Sequence, residues 1–207
     1  MTTIAMGSSQ QLSLKVMNLM HEFRHEVFVK RLGWALRLVD GRERDEYDTP
    51  DAKYLVVRDG PERVTACARM LPTTNSYMLP ELFPQLLGGC AAPSDPRVWE
   101  LSRFATSVRE TREGRVLSLS EPTLDLLALV FDFARQHGVA RLILVTSIGI
   151  ERLMLRAGVT AHRLAPPAEV DGSLCVALFL EVPSKETPTA PNSSNTWTKD
   201  REVEPCV

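Results

Sequence analysis

The sequence is poor in the features that mark several common functional classes. Its four cysteines, Cys67, Cys90, Cys175 and Cys206, are scattered, with no CxxC pair and no clustered histidines. That spacing argues against zinc or any other metal, and a disulfide framework is not expected in a chain of 207 residues. Cys67 and Cys175 sit in apolar runs and read as small buried hydrophobes. No apolar run approaches the roughly 20 residues that cross a bilayer. The N-terminal stretch MTTIAMGSSQQLSLKV lacks the basic and apolar regions of a secretory signal. These absences point to a reduced, cytoplasmic protein without a membrane partner. A formal net charge of -2 and the lack of a basic recognition helix leave no electrostatic case for nucleic acid.

What is present is the composition of a soluble globular domain, 44% apolar and 24% charged, long enough to bury a core without staples. Residues 1–183 read as a single domain, and 184–207 have the composition of a disordered tail. Leu12–Trp34 carries apolar residues near helical spacing, and Gly33 closes it. Arg24 and Phe28, four apart, share one face of that helix. ALRLVDGRERDEYDTPDA follows as a long charged loop. KYLVVR and VTACARML flank DGPER and predict an antiparallel hairpin. A short helix, a central strand RVWELSRFATSV and a long helix come next, the last with Ser120 as N-cap, Pro122 near its start and Gly138 after its end. ARLILVTS, GIERLMLRAG and SLCVALFLEV complete the order as strand, helix and strand. A meander followed by alternating strands and helices implies a mixed sheet packed by helices, in the α/β or α+β class.

One stretch stands out. VWELSRFA is apolar enough for a core strand, yet it holds Glu100 and Arg103. Buried charges are costly unless paired and hydrogen-bonded. Positions three apart also fall on opposite faces of a regular strand, so either a bulge re-aims one of them or only one faces a ligand. Further charges gather at Arg24, at Asp45 and Asp48 in the loop, and at Arg69 on the hairpin.

RHEVFVKRLGW, DEYDTPDAKYLV, CARMLPTTNSYML with LFP close behind, and WELSRFA occur in the order and spacing of LuxI-type acyl-homoserine lactone synthases. The chain resembles that family from about Arg24 to the final strand. The resemblance implies a fold similar to the GCN5-related N-acetyltransferases (GNAT), with a mixed, mostly antiparallel sheet in a single domain. It implies acyl transfer from acyl carrier protein to the amine of S-adenosylmethionine, then lactonisation with release of methylthioadenosine. No cofactor is implied, because S-adenosylmethionine is a co-substrate. The family's invariant set maps onto Arg24, Phe28, Trp34, Asp45, Asp48, Arg69, Phe83, Glu100 and Arg103, each with the expected residue type. The related acetyltransferases bend the central strand, which favours a bulge here.

These residue types suit the implied chemistry. Asp45 and Asp48 attract the cationic part of S-adenosylmethionine, and Arg24 or Arg103 takes its carboxylate by bidentate contact. Phe28 and Trp34 stack on adenine or face the sulfonium. Glu100 is the candidate general base for the attacking amine. Backbone N–H groups near Arg103 and Phe104 are candidate oxyanion donors. Arg69 and Phe83 shape the site, Arg69 either by direct contact or within an internal network of Arg24, Arg69, Glu100, Asp45 and Asp48. Leu101, Phe104, Val145, Met154 and Leu155 are candidates for an acyl pocket, and Thr146 matches a position where family members often carry a threonine. Arg152 and Arg156, four apart, form a basic patch for the acidic carrier protein. The segment VRETREGRVLSLSEP lacks the RxxGxG-like loop that holds coenzyme A pyrophosphate in the wider superfamily. Two rival readings are a coenzyme A-dependent acyltransferase of the same fold and a non-catalytic binder of S-adenosylmethionine or carrier protein.

Overall fold

The computed structural model describes residues 1–107 and 120–183, and the backbone of 202–203. The segment without the pyrophosphate loop and most of the expected tail lie outside the described residues. Contacts divide the described chain into two compact units, residues 1–70 with 103–107 and 202–203, and residues 71–102 with 120–183.

The first unit begins with a strand that sequence patterning missed, β1 (Thr2–Ser8), which runs antiparallel to β4 (Lys53–Asp59) from Thr2↔Asp59 to Ser8↔Lys53. Its small and polar residues give no clean alternation, so pairing with β4 supplies what local propensity does not. Glu202 and Val203 (β11) run parallel to Thr3 and Ile4. Helix α1 (Leu14–Arg24) starts at Ser13, whose hydroxyl accepts the Val16 N–H at 3.3 Å. Its buried stripe is Val16, Met17, Met20, His21 and Arg24. The helix expected to continue to Trp34 instead widens into a π-helical stretch, His25–Arg31, and ends at Gly33, where φ is +71°.

A two-residue hairpin follows, β2 (Leu38–Val39) and β3 (Arg42–Glu43), inside what the sequence suggests is a loop. Asp40 and Gly41 both have positive φ, 50° and 75°, as a type I′ turn requires. The expected hairpin of β4 with β5 (Val64–Pro72) is present, with Tyr54 opposite Arg69 and Val56 opposite Cys67.

The second unit holds α2 (Met78–Leu82), a short 3₁₀ turn at Pro84–Leu87, the first part of β6 (Val98–Thr106), α3 (Glu121–Gln136), β7 (Arg141–Ser147), α4 (Ile148–Arg156), β8 (Ala161–Arg163), β9 (Ala168–Val170) and β10 (Ser173–Glu181). β6 runs parallel to β7, with Trp99 opposite Leu142, and β7 runs antiparallel to β10 throughout. Ser120 occupies the N-cap position of α3 as expected, although its side chain makes no capping bond to the helix backbone. Leu126, Val130, Leu142, Ile143, Val176 and Leu178 are fully buried and form the apolar centre of this unit.

β6 passes from one unit to the other between Ser102 and Arg103. At that point Arg103 makes the strand irregular without ending it, because its φ of +48° lies in the left-handed region. The irregularity expected in this strand is therefore a single left-handed residue. A non-glycine residue there costs roughly 1–3 kcal/mol and persists only where its surroundings hold it. Among the described residues no helix is long and apolar enough to cross a membrane.

Candidate active site

Six charged side chains meet in the first unit. Arg24 comes from α1, Arg69 from β5 and Arg103 from β6, while Glu43, Asp45 and Asp48 come from β3 and the loop after it. The loop organises itself before it meets the arginines. The Asp45 N–H donates to the Asp48 carboxylate at 2.9 Å, the Asp48 N–H to the Asp45 carbonyl at 3.2 Å, and the Tyr47 N–H to the Asp45 carboxylate at 3.0 Å. Such short side-chain-to-backbone bonds are what Asp offers a turn.

Each guanidinium is then spoken for. Arg24 grips Asp48 with both Nη atoms, at 2.7 and 3.0 Å, and its Nε donates to Glu43. Arg69 takes both oxygens of Asp45 and reaches Asp48 at 3.0 Å. Arg103 donates to Glu43 from Nε and Nη2, at 3.2 and 3.1 Å, and to Asp45 at 2.7 Å. Arg24, Arg69 and Glu43 are 0% exposed. Three cations facing three anions leave no net charge, the condition under which such burial is tolerable. Tyr54 adds a hydroxyl donated to Asp48 at 3.0 Å, and Cys67 donates its thiol to the Arg103 carbonyl at 3.4 Å.

The titration behaviour follows. Burial would raise the Asp48 pKa, but the charges of Arg24 and Arg69 outweigh it and hold the carboxyl well below the usual range. Arg24 is likewise held above its ordinary value: burial works against the charge, and Asp48 and Glu43 more than compensate. Burial pushes the Cys67 thiol up to about 12, so it is no nucleophile. His21 donates from Nδ1 to the Glu43 carbonyl at 2.9 Å, and burial, then the Arg24 charge, lower its pKa.

Aromatic groups border the cluster. The Arg103 guanidinium lies over Phe28, 5.6 Å from the ring centre, and Phe28 stacks on Trp34 at 5.1 Å and 22°. Trp34 is 47% exposed, so one face is covered by Phe28 while surface remains for a ligand.

Glu100 is in the second unit and does different work. Its two carboxylate oxygens accept the Met78 and Leu79 N–H groups, at 2.9 and 2.8 Å. These are the first two residues of α2, whose N-cap residue, Tyr77, makes no side-chain cap, so a strand carboxylate satisfies the helix's orphan donors. Burial, then the Glu100 charge, push the Tyr77 phenol up to about 12. Phe83 is half-buried where α2 gives way to the 3₁₀ turn.

The structure thus brings Arg24, Asp45, Asp48, Arg69 and Arg103 together in one network with Phe28 and Trp34 at its border. Neither Asp45 nor Asp48 is a solvated acid, and the fork of Arg24, expected for a substrate carboxylate, is closed on Asp48. Among the acyl-pocket candidates Leu101 and Met154 are buried, and Phe104, Val145 and Thr146 are half-buried. Leu155 is the exception: at 50% exposure it faces solvent, because one step along α4 from Met154 turns it off the buried face. Arg152 and Arg156 are both exposed. Sequence reasoning missed Glu43 and Tyr54. Tyr54 is cross-strand from Arg69, so its signal was legible once the hairpin was drawn, whereas Glu43 sits in a stretch the sequence suggests is a loop.

A GNAT-like fold carrying this charged cluster is that of an acyltransferase-type enzyme. The autoinducer synthase family model matches residues 8–189. The chain is 40% identical over 163 residues to an acyl-homoserine-lactone synthase of Acinetobacter nosocomialis, covering 77% of this chain and 88% of that one. It superposes on the synthase LasI with a TM-score of 0.78 at 33% identity, covering 89% and 92% of the two chains. It is also similar to BjaI, a coenzyme A-dependent synthase solved with S-adenosylmethionine and isopentyl-coenzyme A, with a TM-score of 0.77 at 32% identity, covering 88% and 84%. The protein belongs to the autoinducer synthase family and is an enzyme of acyl-homoserine-lactone synthesis.

Proposed function

We propose that the protein transfers an acyl chain from acyl carrier protein to the α-amine of S-adenosylmethionine, after which the methionyl carboxylate displaces methylthioadenosine to close the lactone. The observation that carries this reading is the neutral six-charge cluster with Arg103 over Phe28. It sets polar and aromatic groups side by side, as a ligand with a sulfonium, an amino acid and an adenine requires. The S-adenosylmethionine bound in BjaI supports the same co-substrate.

The amine attacks only when neutral. Glu100 is the candidate base, acting through a water, because the backbone N–H groups of Met78 and Leu79 hold both its oxygens in place. The backbone N–H groups near Arg103 and Phe104, where φ of Arg103 turns positive, are the candidate oxyanion donors. Lactonisation joins two groups of one molecule, so the protein's contribution is positioning. The exposed pair Arg152 and Arg156 favours an acidic carrier protein as donor.

A second donor, acyl-coenzyme A, has its own support in the isopentyl-coenzyme A of BjaI. Mass spectrometry of reactions with S-adenosylmethionine and a panel of acyl carrier protein and acyl-coenzyme A thioesters separates them. Acyl-homoserine lactone and methylthioadenosine formed faster from the carrier-protein thioesters is the expected result. Preference for coenzyme A thioesters replaces the donor. No product with any donor leaves a non-catalytic binder. Glu100→Gln should slow lactone formation by about 10²- to 10⁴-fold, the usual contribution of a general base; near-normal turnover removes Glu100 from the chemistry.

A further inference from the structure

The buried cluster raises a question about the substrate carboxylate. Arg24, Arg69 and Arg103 each have their forks on Glu43, Asp45 or Asp48. The first unit, however, has a surface pocket of about 200 Å³ lined by Arg37, Val39, Arg44 and Asp45. Arg37 and Arg44 are exposed. Neither makes a hydrogen bond or ion pair among the described residues, in contrast to neighbouring Arg42, which holds Glu22 at 2.9 Å.

Their placement is not casual. The hairpin pairs Leu38 with Glu43 and Val39 with Arg42, and the same register carried one step outward sets Arg37 opposite Arg44. Like charges directly opposite on paired strands destabilise the pairing. An anion between two such guanidiniums turns that repulsion into charge-assisted contacts. Asp45, held by Arg69 and Arg103, also lines the pocket, so two arginines and a carboxylate face one ligand, an arrangement that suits a cation close to an anion.

We propose that Arg37 and Arg44 bind the carboxylate of the S-adenosylmethionine amino-acid group, with Asp45 on the side of its ammonium. This rests on the synthase reading above. The geometry recruits two arginines that no motif marks, and it leaves the buried arginines to hold the acidic loop.

The test compares S-adenosylmethionine with its decarboxylated analogue by isothermal titration calorimetry on the wild type and on Arg37→Ala, Arg44→Ala and the double variant. Both positions are exposed, and thermal melts check that the variants remain folded. The double variant should bind S-adenosylmethionine roughly 10- to 100-fold more weakly, as loss of charged hydrogen bonds predicts. Its affinity for the decarboxylated analogue should match that of the wild type. Unchanged binding of S-adenosylmethionine, or equal losses for both ligands, overturns the proposal. So does a variant whose only defect is a raised KM for the acyl donor. Lactone production by the wild type, measured in parallel, separates these outcomes from failure of the synthase reading itself.

Discussion

In the first unit the fully buried side chains include Arg24, Arg69 and Glu43; in the second they include Leu126, Val130, Leu142, Ile143 and Leu178. These two sets of side chains respond differently to change. The apolar one gains its stability from area removed from water, and a substitution there costs in proportion to the volume lost. The charged one gains little net stability from its ion pairs, yet losing any one partner strands another charge. The apolar set therefore tolerates repacking and the charged cluster does not. Intolerance of that kind is what a site needs to hold side chains in one geometry.

The most direct way to break this contrast is at Asp48, which accepts from Arg24, Arg69 and Tyr54. Asp48→Ala should cost roughly 3–5 kcal/mol, the penalty for an unpaired buried charge, and should abolish activity. Urea denaturation followed by circular dichroism measures the first, and a lactone assay the second. Leu142→Ala in the apolar interior should cost about 2–5 kcal/mol while retaining S-adenosylmethionine affinity in the folded fraction. If affinity fell in parallel with stability, the two interiors would not be separable in this way.

Acid should sharpen the comparison. His21 has a lowered pKa in the fold, so the unfolded chain takes up its proton first and stability declines as pH falls below about 6.5. Asp48 is held below its ordinary range, so its contribution is complete above about pH 3.9 and is lost as pH falls further toward its folded value. Urea midpoints from pH 8 to pH 3 should fall in that order, and His21→Gln should remove the upper phase. The smallest expected effect is at the exposed pair Arg152 and Arg156. Replacing both by alanine should raise KM for the acyl carrier protein several-fold, more at low salt than at high, and leave stability within about 0.5 kcal/mol. An unchanged KM would place the donor elsewhere.

Much of this was legible in one dimension. The β4–β5 hairpin, α3 with its proline and glycine signals, and the apolar runs of β7 and β10 all follow from period and punctuation. The quoted motifs picked out five of the six members of the charged cluster. Glu43 escaped because a charge-dense loop hides which of its acids turn inward. β1 escaped because a run of small and polar residues has no pattern until β4 pairs with it. The π-helical widening at His25–Arg31 and the left-handed Arg103 carry no local signature at all, since neither residue type prefers that backbone.

The sequence by itself determined the order of the longer elements from α1 to β10, the family and the residue types at the site, because hydrophobic period, turn chemistry and motif spacing are local properties. Only the tertiary structure decided what the charges do. It closed Arg24 on Asp48, fixed Glu100 to the start of α2, and left Arg37 and Arg44 facing an open pocket. Whether a guanidinium is available to a ligand depends on which carboxylates the fold brings within hydrogen-bond reach, and those carboxylates are up to sixty residues away along the chain.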